Sequence, residues 1–575
     1  MLFSYYFFTS CALLGQRGNV KASSFHDSTQ SQPSVKIRNG TLAGAYDPTY
    51  KQDFFFGIPY ALPPTGDRRF ALPAPSVALN DTRDAQSYGY WCPGNPTGLP
   101  GFTQETNATM SEDCLHMNVV RPAGTNMGNR LPVLVWVHGG GWLEGSAADG
   151  RYNGSFLVEK SVQMGMPIIF VSFNYRLGPF GILAGPILEK AGLVNLALHD
   201  QRQALAWVQE NIAQFGGDPS LVTVMGESAG AISIGAHLLA YGGRDDGLFR
   251  GAILQSGGPF PGDNGNRNVT EREEDFNMIL QQTGCEGSDD PIACLRGVPM
   301  ETLKAAGQRM RTNLVIDGSI VPDNRILQLE RGEFLKVPVL TGTNRNEGAM
   351  FAQAFGRLPV NTAQDFGNFV SAAWGGGPVP TEMLQKWYDL YQKEIDNPSV
   401  AGLGTVSEDA GPRMGSQYGK ATLWMGDMMF TAGRRLINKA WANYGATSFS
   451  YFFDTVPANI DPKALGATHF QEIPYMFDNI NGVGWDTNPF PSEVSLKQKH
   501  EELANIMSRM WISFVVKQSP NFHQVPEINL EWPAYTRTCA KNMVFSATEG
   551  VKLQPDTWRI EEMEMVYEIG RNAEV

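Results

Sequence analysis

Apolar, β-branched runs bounded by turn residues recur along the chain: LPVLVWV (131–137), MPIIFVSFNY (166–175), LVTVM (221–225), VPVLTG (337–342) and SFSYFF (448–453). None shows the clean alternation of a strand with one wet face; continuous apolar runs belong to strands covered on both faces. Between them the period changes. DQRQALAWVQENIAQF places Ala204, Leu205, Val208 and Ile212 on one helical face. Buried strands alternating with amphipathic helices predict a mainly parallel sheet wrapped by helices. Such sheets bind their ligands in the crevice beyond the carboxyl ends of the strands, so the segments that follow the strands carry the candidate chemistry.

GESAG (226–230) follows LVTVM directly, and AGAISIGAHLLA after it has the pattern of a helix. With 62 glycines in the chain, a Gly-x-Ser-x-Gly arises by chance, so the strand before it and the helix after it carry the weight. A serine on so sharp a turn is held in strained backbone as a candidate nucleophile, and Gly226 and Gly230 are expected where a side chain would clash. The start of a helix adds a positive field beside Ser228. HGGGW (138–142) follows LPVLVWV in the same way. Three glycines let a backbone turn its N–H groups outward, so Gly140 and Gly141, with the N–H of Ala229, are candidates to hold an oxyanion.

A base and an acid are found by elimination, since this architecture orders the three as serine, acid, histidine. His26, His116, His138 and His199 precede Ser228. His237 lies on the serine's own helix, about 13 Å along its axis at about 1.5 Å per residue. His500 sits in the charged helical pattern KQKHEELANIM and His523 in the surface-like QSPNFHQVP, so both are expected to be solvated. His469 follows the SFSYFF strand by a short loop and is the candidate base. Glu347, just past VPVLTG, is the candidate acid; its rival Asp317 stands in an Asp-Gly turn with an ordinary structural purpose.

Composition narrows the picture. A chain of 575 residues sets a length prior of roughly three or four domains, yet no Pro/Ser-rich tract, charge run or repeat marks a boundary. Residues 23–575 are therefore expected to form a single domain. Hydrophobic residues make up 42% and charged residues 18%, which suits a large buried core. A net charge of −13 argues against nucleic acid and anionic membrane as partners. Residues 2–14 form an apolar run too short to span a bilayer but suited to a secretory signal, expected over 1–22 with Val20-Lys21-Ala22 near its cleavage point, although a positive start is missing.

Of the six cysteines, Cys11 lies in that signal. Cys92 and Cys114 can close one loop, Cys285 and Cys294 a tighter one, which leaves Cys539. No Cys-x-x-Cys occurs and the histidines are scattered, so no metal is expected. Asn39, Asn80, Asn107, Asn153 and Asn268 stand in sequons open to glycosylation.

FFFGIPYALPPTGDRRF, SEDCLHMNV, NYRLGPFGIL, the stretch from GLVNLALHD to GESAG, and AILQSGGP together resemble the carboxylesterase type-B family, most closely its fungal lipase and esterase branch. The resemblance runs through nearly the whole mature chain and implies an α/β-hydrolase fold. It implies Ser228, Glu347 and His469 as the triad, Gly140, Gly141 and Ala229 as the oxyanion hole, and the disulfides Cys92–Cys114 and Cys285–Cys294. Two departures narrow the substrate. The first cysteine loop is short and has little of the apolar stripe of a lipase lid, and it lacks the cation-binding tryptophan of cholinesterases, Trp91 lying just outside it. The expectation is a secreted serine carboxylesterase acting on a small-molecule ester through an acyl-enzyme, without cofactor, nucleic acid or stable membrane insertion. The alternative is an esterase or acyl-transferring enzyme for a specialised metabolite ester, since the same residues run both. A lidded triacylglycerol lipase and a non-catalytic binding protein fit these residues less well.

Overall fold

The computed structural model describes residues 32–77, 81–103, 108–259, 269–356, 358–374, 379–396 and 411–572. The expected signal over 1–22 and the sequons at Asn80, Asn107 and Asn268 lie outside the described residues.

The main sheet contains β1 (Ala45–Asp47), β2 (Gln52–Pro59), β3 (His116–Pro122), β4 (Leu131–Val137), β5 (Ile169–Phe173) and β6 (Gly217–Glu227). It continues with β7 (Gly251–Gln255), β8 (Val339–Asn344), β9 (Ser448–Phe453), β10 (Lys541–Ser546) and β11 (Gly550–Pro555). Across the sheet the order is β11-β10-β9-β8-β7-β6-β4-β5-β3-β2-β1. The strands from β5 to β10 are parallel; antiparallel β1–β3 close one edge and β11 the other. A separate small sheet joins Ser34–Ile37, Gly40–Ala43 and Arg83–Asp84.

The continuous apolar runs have a direct cause. Val133, Val135 and Val137 of β4 enter the core on one face of the sheet, while Leu134 and Trp136 enter the core on the other. In β7, Ala252 and Leu254 face the first core and Ile253 the second. Successive side chains point to opposite faces, and both faces are roofed, so every position is apolar. One roof is α1 (Leu196–Asn211), whose Ala204, Leu205 and Val208 are buried as their spacing predicts. The 131–137 and 448–453 runs coincide with β4 and β9, but LVTVM is the middle of a longer strand. β6 continues because Gly226 still pairs with Val137 and Leu254, and Glu227 with Gln255.

This arrangement gathers four chain segments at one edge. Ser228 follows the end of β6 and opens α2 (Ala229–Gly243); His138 follows β4; Ser256 follows β7; Glu347 opens α3 (Glu347–Phe355) three residues after β8. Disulfides join Cys92 to Cys114 and Cys285 to Cys294, and Cys539 is a free thiol.

Candidate active site

Ser228 has φ 54° and ψ −126°, a left-handed conformation that a non-glycine residue adopts only when its surroundings impose it. The neighbours impose it here. A Cβ on Gly230 would lie 2.1 Å from the Val137 carbonyl oxygen, and one on Gly226 2.7 Å from the Gly230 carbonyl carbon. The elbow can therefore press against the end of β4, with the Ser228 N–H donating to the Gln255 carbonyl at 2.9 Å. Ser228 itself is half-buried, while His469 and Glu347 are each 1% exposed.

His469 Nδ1 lies 2.7 Å from Glu347 Oε2. The other carboxylate oxygen accepts from Ser256 Oγ at 2.6 Å and from the Asn344 N–H at 2.7 Å. An ionised carboxylate only accepts, so Nδ1 is the ring's donor and Nε2 carries the basic lone pair. The ring is held on its faces as well. Phe430 stacks on it at 4.5 Å between centroids and Phe351 meets it edge-on at 5.0 Å. Phe430 reaches that position from a π-helical turn, Asp427–Thr431, of the kind that recurs at functional sites. Asp317, the rival acid, accepts from the Ser319 and Val321 N–H groups and from Asn195 Nδ2, which is turn and loop anchoring away from the histidine.

The glycine loop passes directly over the elbow, since a Cβ on Gly139 would stand 3.0 Å from Ser228 Cβ. Gly140, Gly141 and Trp142 have φ of 96°, 61° and 55°, three successive left-handed residues. A Cβ on Gly140 would lie 2.2 Å from the Glu144 carbonyl oxygen, so only glycine fits there. Ala229 is the first residue of α2, and its N–H has no partner within the helix. A hydroxyl joins the two halves: Trp142 Nε1 donates to Ser233 Oγ at 3.0 Å, and Ser233 Oγ donates to the Ala229 carbonyl at 2.7 Å. His138 braces the loop from below, with Nδ1 2.9 Å from the Gly139 carbonyl and its ring stacked on Tyr175; burial pushes its pKa down to about 4, so it stays neutral.

Three neighbours were not among the sequence candidates. Glu227 Oε1 comes 3.0 Å from His469 Nε2, too poorly aligned to be a hydrogen bond, and neither Glu227 oxygen has a hydrogen-bond partner among the described residues. Burial first, then the Glu472 and Glu347 carboxylates, holds the Glu227 carboxyl well above the usual carboxylate range. A bare acceptor nitrogen this close to Glu227 Oε1 pushes in the same direction, since two bare acceptors at this distance repel. Glu472 is raised too, by burial and by Glu347, and accepts from Asn344 Nδ2 at 2.7 Å and Gln255 Nε2 at 3.1 Å. Ser256 is the third. Their signals in the sequence were present but unspecific: the acid inside GESAG, the serine of QSGG and the glutamate of HFQE.

Two expectations about the other histidines are corrected. His500 and His523 are buried at 5% and 7% exposure, not solvated. His500 Nδ1 stands 2.6 Å from Tyr475 Oη, and burial pushes its pKa down to about 4; His523 Nδ1 accepts from the Val525 N–H. The charged pattern around His500 describes only the outer face of a long helix, Val494–Lys517, whose inner face packs on the sheet. His237 pairs with Gln201 at 2.9 Å, and burial holds its pKa well below the usual imidazole range. Among the described residues no cluster of three or more metal-ligating side chains occurs, and no helix is long and apolar enough to cross a membrane.

A parallel sheet with a strained serine, a carboxylate-bound histidine and a glycine loop at its carboxyl edge defines an α/β-hydrolase. Residues 31–562 match the model of the carboxylesterase family, and the chain belongs to that family of carboxylic ester hydrolases. It is 32% identical to Lipase 2 of Geotrichum candidum over 92% of each chain, and 31% identical to Secreted lipase 1 of Botryotinia fuckeliana over 88% of each. The crystal structure of Aspergillus niger EstA superposes with a TM-score of 0.80 at 27% identity, covering 95% of this chain and 99% of that one.

Proposed function

We propose that the chain is a secreted serine carboxylesterase in which Ser228, His469 and Glu347 form the catalytic triad and Gly140, Gly141 and Ala229 the oxyanion hole. The observation that carries this is the 2.7 Å contact of Glu347 with His469, whose Nε2 lies 3.0 Å from Glu227, the residue before the strained, half-buried Ser228. His469 Nε2 takes the proton of Ser228 Oγ as that oxygen attacks the ester carbonyl. The three backbone N–H groups receive the negative charge that develops on the carbonyl oxygen, each donor worth about 2.7–4 kcal/mol of barrier in comparable sites. His469 then hands the proton to the departing alcohol oxygen, leaving an acyl group on Ser228. Water, activated by the same histidine, releases the acid. Glu347 holds the imidazole orientation and stabilises its charged form.

Secretion is supported by the apolar start of the chain, by two disulfides typical of an oxidising compartment, and by the secreted relative. Residues 23–575 are taken as the mature single domain, with Asn39 and Asn153 as the glycosylation candidates among the described residues. A fluorophosphonate probe tests the core of the proposal. It should label Ser228 alone, and Ser228→Ala should abolish labelling and ester cleavage together. Full esterase activity in that variant ends the proposal.

A further inference from the structure

The contact of His469 Nδ1 with Glu347 fixes one point of the imidazole but not its plane. Two phenyl rings set the plane. Phe430 lies against one face at 4.5 Å and 25°, and Phe351 meets the ring at 5.0 Å and 63°. Phe351 is carried by α3, the helix that Glu347 opens, so it arrives with the acid. Phe430 comes from a different helix, and whatever holds Phe430 holds the histidine.

Phe430 stands in the π turn Asp427–Thr431, which interrupts one helical run between Tyr418–Gly426 and Ala432–Asn443. A π turn holds about one residue more than an α turn, equivalent to about 100° of helix rotation, so its register decides which side chain faces His469. Asp427, the first residue of the turn, anchors that register. Its carboxylate is fully buried and accepts from Arg559 Nη2 at 2.7 Å, from Arg559 Nε, and from Tyr391 Oη at 3.0 Å. At the other end of the turn Thr431 Oγ1 donates to the Gly426 carbonyl at 3.4 Å.

Arg559 reaches Asp427 from outside this helix. It directly precedes the helix Ile560–Asn572, is 4% exposed, and rests its guanidinium on the Trp558 ring at 4.3 Å. Its φ of 49° is left-handed, a conformation that a non-glycine residue keeps only where its surroundings fix it. The same helix also grips the far side of the turn, where Tyr567 Oη donates to the Ala432 carbonyl at 2.9 Å. Toward the site, the helical run packs on the acid: a Cβ on Gly348 would stand 2.1 Å from the Thr422 carbonyl oxygen, and one on Gly426 3.1 Å from Gly348 N. A buried ion pair by itself is weak evidence for stability, since apolar groups of similar volume often serve as well. What a two-pronged pair adds is direction. Asp427 meets Arg559 and Tyr391 in the register that lays Phe430 on His469.

We propose that Asp427, Arg559 and Tyr391 are positioning residues for His469: they lock the register of the π turn and, through Phe430, fix the plane of the imidazole. The proposal rests on the serine-esterase reading above and adds to it three residues that touch neither substrate nor reacting atoms.

The test is a double-mutant cycle in the full chain, read as kcat and KM on 4-nitrophenyl butyrate, with the rate of fluorophosphonate labelling measured alongside. Phe430→Leu keeps an apolar side chain but removes the flat face, and Asp427→Asn removes the charge that Arg559 meets. Each should lower kcat by about tenfold with KM within about twofold, and slow labelling to match; a misplacement of about 1 Å can cost about 10²-fold. Combined, the two should cost little more than either alone, because Asp427 acts through Phe430. Tyr391→Phe removes one donor to Asp427 and is milder; it should lower kcat by about threefold, a loss that should vanish in the Phe430→Leu background. Asp53→Asn breaks a similarly buried pair, with Arg121 between β2 and β3, so it reports lost stability alone and should leave kcat unchanged. Full kcat in Asp427→Asn, losses that multiply in the double variant, or a loss carried by KM overturns the proposal. So does Asp53→Asn if it damages kcat as much as Asp427→Asn. Should Asp427→Asn not fold, Tyr391→Phe with and without Phe430→Leu decides by the same criteria. A wild type that neither labels nor cleaves sinks the serine-esterase reading, and the proposal with it.

Discussion

Replacing Glu347 by glutamine keeps its shape and removes one acceptor, and the surrounding hydrogen bonds dictate which way the amide must face. The Asn344 N–H, 2.7 Å from Oε1, can only donate, and Ser256 Oγ donates to the same oxygen at 2.6 Å. The amide oxygen is therefore held on that side, and the amide nitrogen faces His469 Nδ1, where Oε2 now stands at 2.7 Å. Facing a donor, Nδ1 becomes the acceptor, and the ring proton moves to Nε2, the atom that takes the proton of Ser228 in the proposed mechanism. A wrong tautomer of this kind costs about 10⁴ in kcat where it has been measured in a serine triad, about 5.5 kcal/mol of barrier. The fold should survive, since the substitution leaves the core unchanged in volume. Steady-state kinetics on a soluble short-chain ester should show kcat lower by about 10³–10⁴ with KM changed little. Circular dichroism and thermal midpoint should match the wild type. Asp317→Asn, which touches only turn and loop-anchoring hydrogen bonds, should leave kcat within a few-fold. Glu347→Gln with kcat within tenfold of wild type, or Asp317→Asn as the damaging change, would refute the assignment of the acid.

The other expectations follow from separate parts of the structure. Trp142→Phe and Ser233→Ala each remove the hydroxyl link between the two halves of the proposed oxyanion hole, so each should lower kcat by about tenfold at similar KM, and the double variant should cost little more than either alone; additive losses would mean the link is incidental. Asp556 is fully buried and bonded to Arg434 and Arg435, which hold its carboxyl far below the usual range. Its stabilisation is therefore present above the unfolded carboxyl pKa near about 4 and is lost as pH falls toward the folded value; Asp556→Asn should cost about 3–5 kcal/mol in urea unfolding at pH 7, and a loss below about 1 kcal/mol would contradict it. In the first disulfide loop Leu99 and Phe102 are buried under a clamp of Glu144 and Arg151, which leaves no apolar flap among the described residues to open at an oil surface. Hydrolysis of short-chain esters should then pass the solubility limit without a jump in rate, and a sharp activation there would mean that another segment acts as a lid.

The chain's pattern carries the frame of this molecule well, for a physical reason. β4 and β9 coincide with their apolar runs because both faces of the sheet are roofed, which makes the run as long as the strand. β6 runs past its apolar stretch because its last pairs involve Gly226 and Glu227, whose residue types say nothing about pairing. The elbow and the glycine loop are legible because backbone geometry there excludes side chains, and that exclusion is written as glycine. The carboxylates around His469 are not legible in the same way. Glu227, Glu472 and Ser256 act through contacts between segments far apart in the chain, and only the packed sheet edge brings them together. His500 misleads for a related reason: its charged neighbours face water while it faces Tyr475, a partner supplied by another segment.

The account turns on whether Ser228 carries the acyl group. Mixing the full chain with a nitrophenyl butyrate, quenching within the first turnover and mapping the modified peptide answers this directly. A rapid burst of nitrophenol matched by one butyryl group on the Ser228 peptide, with both absent in Ser228→Ala, is the predicted result. A butyryl group on any other residue, or undiminished turnover in Ser228→Ala, contradicts it.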